Sequence, residues 1–239
     1  MKSTFLLPLA CLLFSVSCNK SGSAHPACRL TTVVEDTGSG DINYELSYDS
    51  KGRLAGVTGS GSGISPFTRT FVYSGSHLIL VTTTATGSPS TLDSVLLDDN
   101  GKVIYIYEGS NGSYNTLTCT RDSQGQLQKS VNAHNGNITY TSTFQYSNGD
   151  LTSGTLAGTP FNFTYYPDKP AAITDALSIA YWMQDGTVIY NNRHLVKSYQ
   201  TSAVTQTFTY STDAGGNITD ATVASNSDTT IYHYTYDCH

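Results

Sequence analysis

Charge is scarce in this 239-residue chain, at 13% of its residues. What there is leans acidic: 18 Asp and Glu stand against 12 Lys and Arg, a net of −6. A chain so poor in cations has no electrostatic means of gripping nucleic acid or an anionic lipid surface. Long apolar runs are missing too. The longest, Phe5 to Phe14, falls short of the ~20 residues a membrane-spanning helix needs. Tryptophan occurs once and methionine twice, so a core has to be built from aliphatics, Phe and the 17 Tyr. Cysteines are few and lack the paired spacing of a zinc site. There is no Gly-x-Ser-x-Gly elbow and no phosphate-binding glycine loop ending in Lys-Ser/Thr. What remains abundant is Thr, Ser, Tyr, Gly and Asn, the composition of a turn-rich β protein.

The first residues have the form of an export signal. Met1-Lys2 is a short basic start, and Phe5 to Phe14 is an apolar core of signal-peptide length. Ser15-Val16-Ser17-Cys18 follows and resembles a lipobox, the cleavage site of bacterial lipoproteins; Ser15 departs from the Leu usual there. The resemblance implies removal of residues 1–17 and lipidation of Cys18. A mature chain of 222 residues with a net charge of −7 would remain. Residues 18–27 then form a polar, flexible tether, and 28–239 a single β domain.

Alternation dominates that domain. In Tyr44 to Thr58, Tyr44, Leu46 and Tyr48 interleave with Glu45, Ser47 and Asp49, the two-residue period of a half-buried strand. Asp49-Ser50-Lys51-Gly52 turns the chain back. Turn glycines recur at 52, 75, 101, 125 and 149, a period near 24 residues. Two strands and two connections fill such a period, so each unit is a hairpin. The spacing predicts an antiparallel up-and-down meander of about 14 to 16 strands, closed or nearly closed into a barrel. Glycine turns gather at one end, the near end, and connections expected to be longer at the far end.

An insert at 167–190 breaks the rhythm. Pro167 and Pro170 are expected to stop the preceding strand. Thr174-Asp175 then caps a short helix through about Met183, which Asp185-Gly186 ends. Its apolar residues Leu177, Ile179, Trp182 and Met183 either plug the lumen or cover one open end. By strand parity the insert leaves from the near end. So do both ends of the domain, which makes Cys28–Cys238 the disulfide candidate; the alternative is three separate thiols. Cys18, ten residues from Cys28, lies within ~35 Å of it. The near end therefore faces the membrane and the far rim faces away. Alternation alone leaves open whether the apolar face meets lipid or a core. The lipid anchor, the Asp237-Cys238-His239 ending and strands without a clean apolar face, such as Gln126 to Val131, argue for a core.

The flanks YDSKGRL, DDNGKVI, RDSQGQL, YSNGDLT and STDAGGNIT are similar to YD-type repeats of bacterial surface and toxin-shell proteins. With the lipobox, the hairpin series and the segment Phe163 to Tyr199, the whole chain resembles a family of bacterial lipoproteins of unknown function with a porin-like β-barrel. The resemblance implies a shape and brings no active site.

No residue pattern points to catalysis, a metal or a cofactor. Asp98-Asp99-Asn100-Gly101 fails as a calcium loop, because Leu96 stands where a ligand is required. His134 and His233 read as turn and strand residues. Tyrosines are the most suggestive feature: Tyr105, Tyr107, Tyr165, Tyr232 and Tyr234, with Trp182, are the candidate ligand-binding residues. Strand propensity and cross-strand pairing explain them equally well. The expectation is an outer-membrane lipoprotein, periplasmic or surface-facing, that is not an enzyme. It touches the membrane through its anchor and binds a glycan, a lipid or an envelope protein. A purely structural or assembly lipoprotein is the alternative, and a cryptic hydrolase a third reading.

Overall fold

A computed structural model describes residues 28–238 apart from 89, 111, 176, 177 and 191. The leader, Cys18, the tether and Leu177 lie outside the described residues. The chain forms β1 (Cys28–Asp36), β2 (Asp41–Tyr48), β3 (Leu54–Gly61), β4 (Phe67–Ser74), β5 (Leu78–Ala85) and β6 (Thr91–Leu97). Next come β7 (Val103–Ser110), β8 (Ser113–Arg121), β9 (Leu127–His134), β10 (Asn137–Ser147), β11 (Asp150–Leu156) and β12 (Thr159–Pro170). A helix, α1 (Ser178–Asp185), precedes β13 (His194–Thr201), β14 (Thr205–Thr212), β15 (Ile218–Ala224) and β16 (Thr229–Cys238). Every strand pairs antiparallel with its sequence neighbours, and β1 pairs with β16. The result is a closed, all-β, sixteen-stranded barrel in which no strand is left as an unpaired edge.

One local device explains the near-end turns. In Asp49-Ser50-Lys51-Gly52-Arg53 the Asp49 carboxylate accepts the backbone N–H of Lys51 and of Arg53, each at 2.9 Å. Asp98 does the same for Asn100 and Lys102, and Asp122 for Gln124 and Gln126. The side chain thus mimics a backbone turn, and the glycine at the fourth place, such as Gly101 at φ 72°, takes the left-handed conformation. At the far end the connections are shorter than expected. Asn135-Gly136 and Ala157-Gly158 are two-residue turns with φ of 49°/81° and 49°/84°. The polar strand ends there continue the ladder further than hydrophobic alternation alone reveals.

The apolar face points inward. Along β4, Phe71 is buried and Phe67, Arg69 and Tyr73 half-buried, while Thr68, Thr70, Val72 and Ser74 face solvent. Along β10, Ser142 and Phe144 are buried, and Thr141, Thr143 and Gln145 are exposed. Hydroxyl-rich strand faces of this kind are unlike the apolar band a lipid-facing barrel presents.

Tyrosines near the turns tie adjacent strands together. The hydroxyls of Tyr48, Tyr73, Tyr165 and Tyr236 donate to the carbonyls of Leu30, Leu54, Leu151 and Ile218 at 2.6–2.9 Å. Each acceptor lies on the preceding strand, close to where the ladder slips or turns. A bond of this kind satisfies a carbonyl that would otherwise lose a partner in the wall.

Pro167 and Pro170 do not stop the strand; both lie within β12. The β12–β13 register jumps between Tyr165 and Pro170, so Pro167 sits where no ladder N–H is required of it.

Cys28 and Cys238 face each other in register and form a disulfide. The bond welds the strands that close the ring across 210 residues of sequence. Cys119 is a buried free thiol whose pKa burial pushes up to about 11. Native protein should therefore leave Cys28, Cys119 and Cys238 unmodified by iodoacetamide. Cys238→Ser is expected to destabilise the barrel by about 2–5 kcal/mol, read as a lower thermal midpoint.

Candidate functional site

Sixteen strands enclose more space than their own side chains fill. The described residues between 171 and 193 enter from the near end and occupy part of it. Asp175 caps α1: its Oδ1 accepts the Ser178 N–H at 2.8 Å and its carbonyl accepts the Ile179 N–H at 3.0 Å. Ile179 and Met183 are buried in the lumen, and Trp182 packs against Tyr48 at 6.3 Å. Gly186, at φ 71°, ends the helix, its N–H donating to the Trp182 carbonyl. The chain then returns with Ile189 buried and Tyr190 against Phe144 at 5.6 Å. The insert is a plug and not a cover.

Two arginines of the wall hold it. Arg69 donates from Nη1 to the Met183 carbonyl at 3.0 Å and from Nε to Thr83 Oγ1 at 3.1 Å. Its guanidinium also lies 5.3 Å from the centre of the Phe67 ring. Arg121 donates from Nη2 to the Ile189 carbonyl at 3.0 Å, and its other nitrogens bond the carbonyls of Val103 and Gly125. One cation thus meets the negative end of the helix and the other a carbonyl of the return arm.

The tip of the plug is acidic and meets an acidic wall. Asp185, at 6% exposure, ends α1. Burial, then the nearby Glu108 carboxylate, push its pKa up to about 7, opposed by Arg69. Asp93 and Glu108 oppose each other directly across β6 and β7, both facing the lumen. Burial raises both above the usual carboxylate range, and Asp93 raises Glu108 further. Like charges set opposite each other weaken a sheet, so this pair is held at a cost in stability. Gln184 of the plug donates weakly to Glu108 at 3.4 Å.

Beyond the plug, at the far end, two cavities of about 270 and 230 Å³ share Glu108 as a lining residue. The larger lies between the wall of β7–β11 and the return arm. Ser130, Asn132, Tyr140, Ser142 and Phe144 line it from the wall, and Tyr190 from the plug. Recesses of about 300, 420 and 540 Å³ open around the near mouth, the first of them beside Cys28, Tyr48 and Trp182. Among the described residues no group of three His, Cys, Asp or Glu is placed to hold a metal ion.

The aromatic candidates separate. Tyr105 and Tyr107 point outward on β7, away from the lumen; Tyr107 stacks on Tyr114 at 5.5 Å. Parity decides this, because Val95, Ile106 and Leu117 occupy the inner face of the same ladder. Tyr165 points inward but spends its hydroxyl on the Leu151 carbonyl. Trp182 lines the near recess. Tyr232 shares Glu35 with Tyr44, the two hydroxyls donating at 3.4 and 3.0 Å. Tyr234 is buried, and its hydroxyl has no hydrogen-bond partner among the described residues. None of the six lines the far cavities. The polar residues that do are Ser, Asn and carboxylates, set among aliphatic and aromatic neighbours on short alternating strands that look like any others. The one signal available was Asp93 and Glu108, acidic residues at positions the alternation assigns to the core.

This architecture has solved counterparts. The chain is similar to the crystal structure of a porin-like protein from Bacteroides uniformis, at 18% identity and a TM-score of 0.66, over 87% of this chain and 96% of that one. The fold is porin-like. A porin-like protein from Bacteroides vulgatus aligns over 87% of this chain and 98% of that one, at 15% identity and a TM-score of 0.43. No family model matches the chain, and no curated protein does.

The acidic tip makes stability depend on pH in a definite sense. An unfolded Asp loses its proton near pH ~4, whereas folded Asp185 keeps its proton to about 7. Stability therefore falls as pH rises through that window. Asp93 and Glu108 act in the same sense. Asp49, held low mainly by the Arg53 N–H, and Asp213, held low mainly by Asn217, act oppositely, their contribution being lost as pH falls. Asp185→Asn should remove part of the alkaline loss, on the order of 2 kcal/mol between acidic and neutral pH. Thermal midpoints of both proteins across that range measure it; parallel curves would exclude Asp185 as the source.

Proposed function

We propose that this protein is a lipid-anchored component of the bacterial outer membrane that binds a small ligand through the far end of its barrel. One observation carries the reading: the plug fills the lumen from the end where the chain enters and leaves, at the other, a basin whose apolar and aromatic lining is interrupted by Ser130, Asn132, Ser142 and Glu108. An anchor at Cys18, attached close to Cys28, puts the blocked mouth toward the membrane and the basin away from it. Binding sites lie commonly in the mouths of barrels and on rims held by a rigid wall. The polar outer face suits a barrel that stands beside the bilayer on its tether. A plugged lumen favours capture over passage.

The structural reading keeps one observation in its favour. Val72 and Leu92 are 58% and 57% exposed on the outer wall, with Leu96 and Ile104 on nearby strands. Apolar residues grouped on an outer surface mark contact with other proteins.

Two measurements test the proposal. Cys18→Ala should move the protein from the membrane pellet to the soluble fraction and abolish incorporation of a labelled fatty acid. A glycan array and vesicle-binding assays on the delipidated protein should give a ligand, with amide protection concentrated on β8–β10. Clean negatives in both binding assays would favour the structural reading.

A further inference from the structure

The larger far-end cavity is specific about chemistry. Its volume of about 270 Å³ lies below the ~300–1,000 Å³ typical of sites for drug-sized ligands, so it holds no more than a single ring. Ser130 is only 5% exposed and lines the cavity, and no side-chain hydrogen bond engages its hydroxyl among the described residues. That hydroxyl is not among the fully enclosed unpaired atoms, so it opens to the cavity, where a polar group can reach it. Ser142, at 1% exposure, uses its oxygen to accept the Ala157 N–H at 3.2 Å, which leaves its own proton to donate. Asn132 adds an amide at the same wall. Tyr140, Phe144 and Tyr190 supply ring faces, which suit the C–H face of a saturated ring.

Charge narrows the class further. Glu108 borders the cavity, Asp93 stands opposite it, and Asp185 lies behind both. The cation nearest this group is Arg69, already committed to Met183, Thr83 and the face of Phe67. His134, on the neighbouring rim, hydrogen-bonds Asn115 at 2.9 Å. The field in the basin is negative. A cation placed between Glu108 and Asp93 would relieve their repulsion, and an anion would add to it.

We infer that the basin takes a single-ring amino sugar with a free ammonium group, its hydroxyls on Ser130, Ser142 and Asn132 and its ammonium on Glu108. The inference rests on the binding role proposed above and adds to it the ligand's size and charge.

Calorimetric titration of the full chain with glucosamine, glucose, N-acetylglucosamine and glucuronate tests it. The four probes share a ring and differ in charge. Glucosamine should bind about tenfold more tightly than the two neutral sugars, with glucuronate the weakest. Glu108→Gln should erase the preference for glucosamine, and Ser130→Ala should weaken all four. Circular dichroism confirms that each variant is folded. Equal affinity across the series, a preference for glucuronate, or a preference that survives Glu108→Gln would overturn the inference. If none of the four binds but another glycan or lipid protects β8–β10, the amino sugar is wrong and the binding role stands. If nothing binds by any of these assays, both fall.

Discussion

A ring of sixteen strands creates a problem before it solves any: it encloses space that its own side chains do not fill. Every notable feature of this protein answers that constraint. The wall turns its apolar residues inward, which gains burial but leaves an axis without partners. The insert between β12 and β13 fills the near part of it with Ile179, Met183 and Ile189. A helix driven into a lumen brings polar ends with it, and those ends need partners. Asp175 answers at one end of α1 and Arg69 at the other.

Closure makes the near end the stiff one. There the turn aspartates hold their own backbones, tyrosine hydroxyls span to the preceding strand, and the disulfide joins β1 to β16. Of the tyrosines that invited a binding interpretation, Tyr165 is thus a fastener of the wall, like Tyr48, Tyr73 and Tyr236. Their polar tips reach carbonyls where the ladder slips, and their rings fill the mouth. At the far end the plug stops short, and Ser130, Asn132, Ser142 and Glu108 interrupt a lining otherwise made of aliphatic and aromatic side chains.

That exchange costs stability. Asp93 and Glu108 sit opposite each other, and Asp185 is brought to meet them on the tip of the plug, with one arginine among three carboxyl groups. A wall built only for strength would place Val or Ile at these inward positions. Retaining buried like charges is the kind of local inconsistency that accompanies a site.

Much of the frame was legible in the chain. Alternation identified the strands, the Asp-x-x-Gly turns set the hairpin period, and antiparallel parity brought Cys28 and Cys238 to one end. Those are local or counting arguments, and they survive because a strand's period and a turn's geometry are properties of a few consecutive residues. Parity also placed the insert at the near mouth but left plug or cover open. Only the closed structure decided that the insert enters the lumen, that Tyr105 and Tyr107 face outward, and that Ser130, Glu108 and Tyr190 border one cavity. Those facts depend on inward direction, stagger and the path of the plug. They are set by contacts between residues far apart in sequence, and no stretch of the chain encodes them on its own.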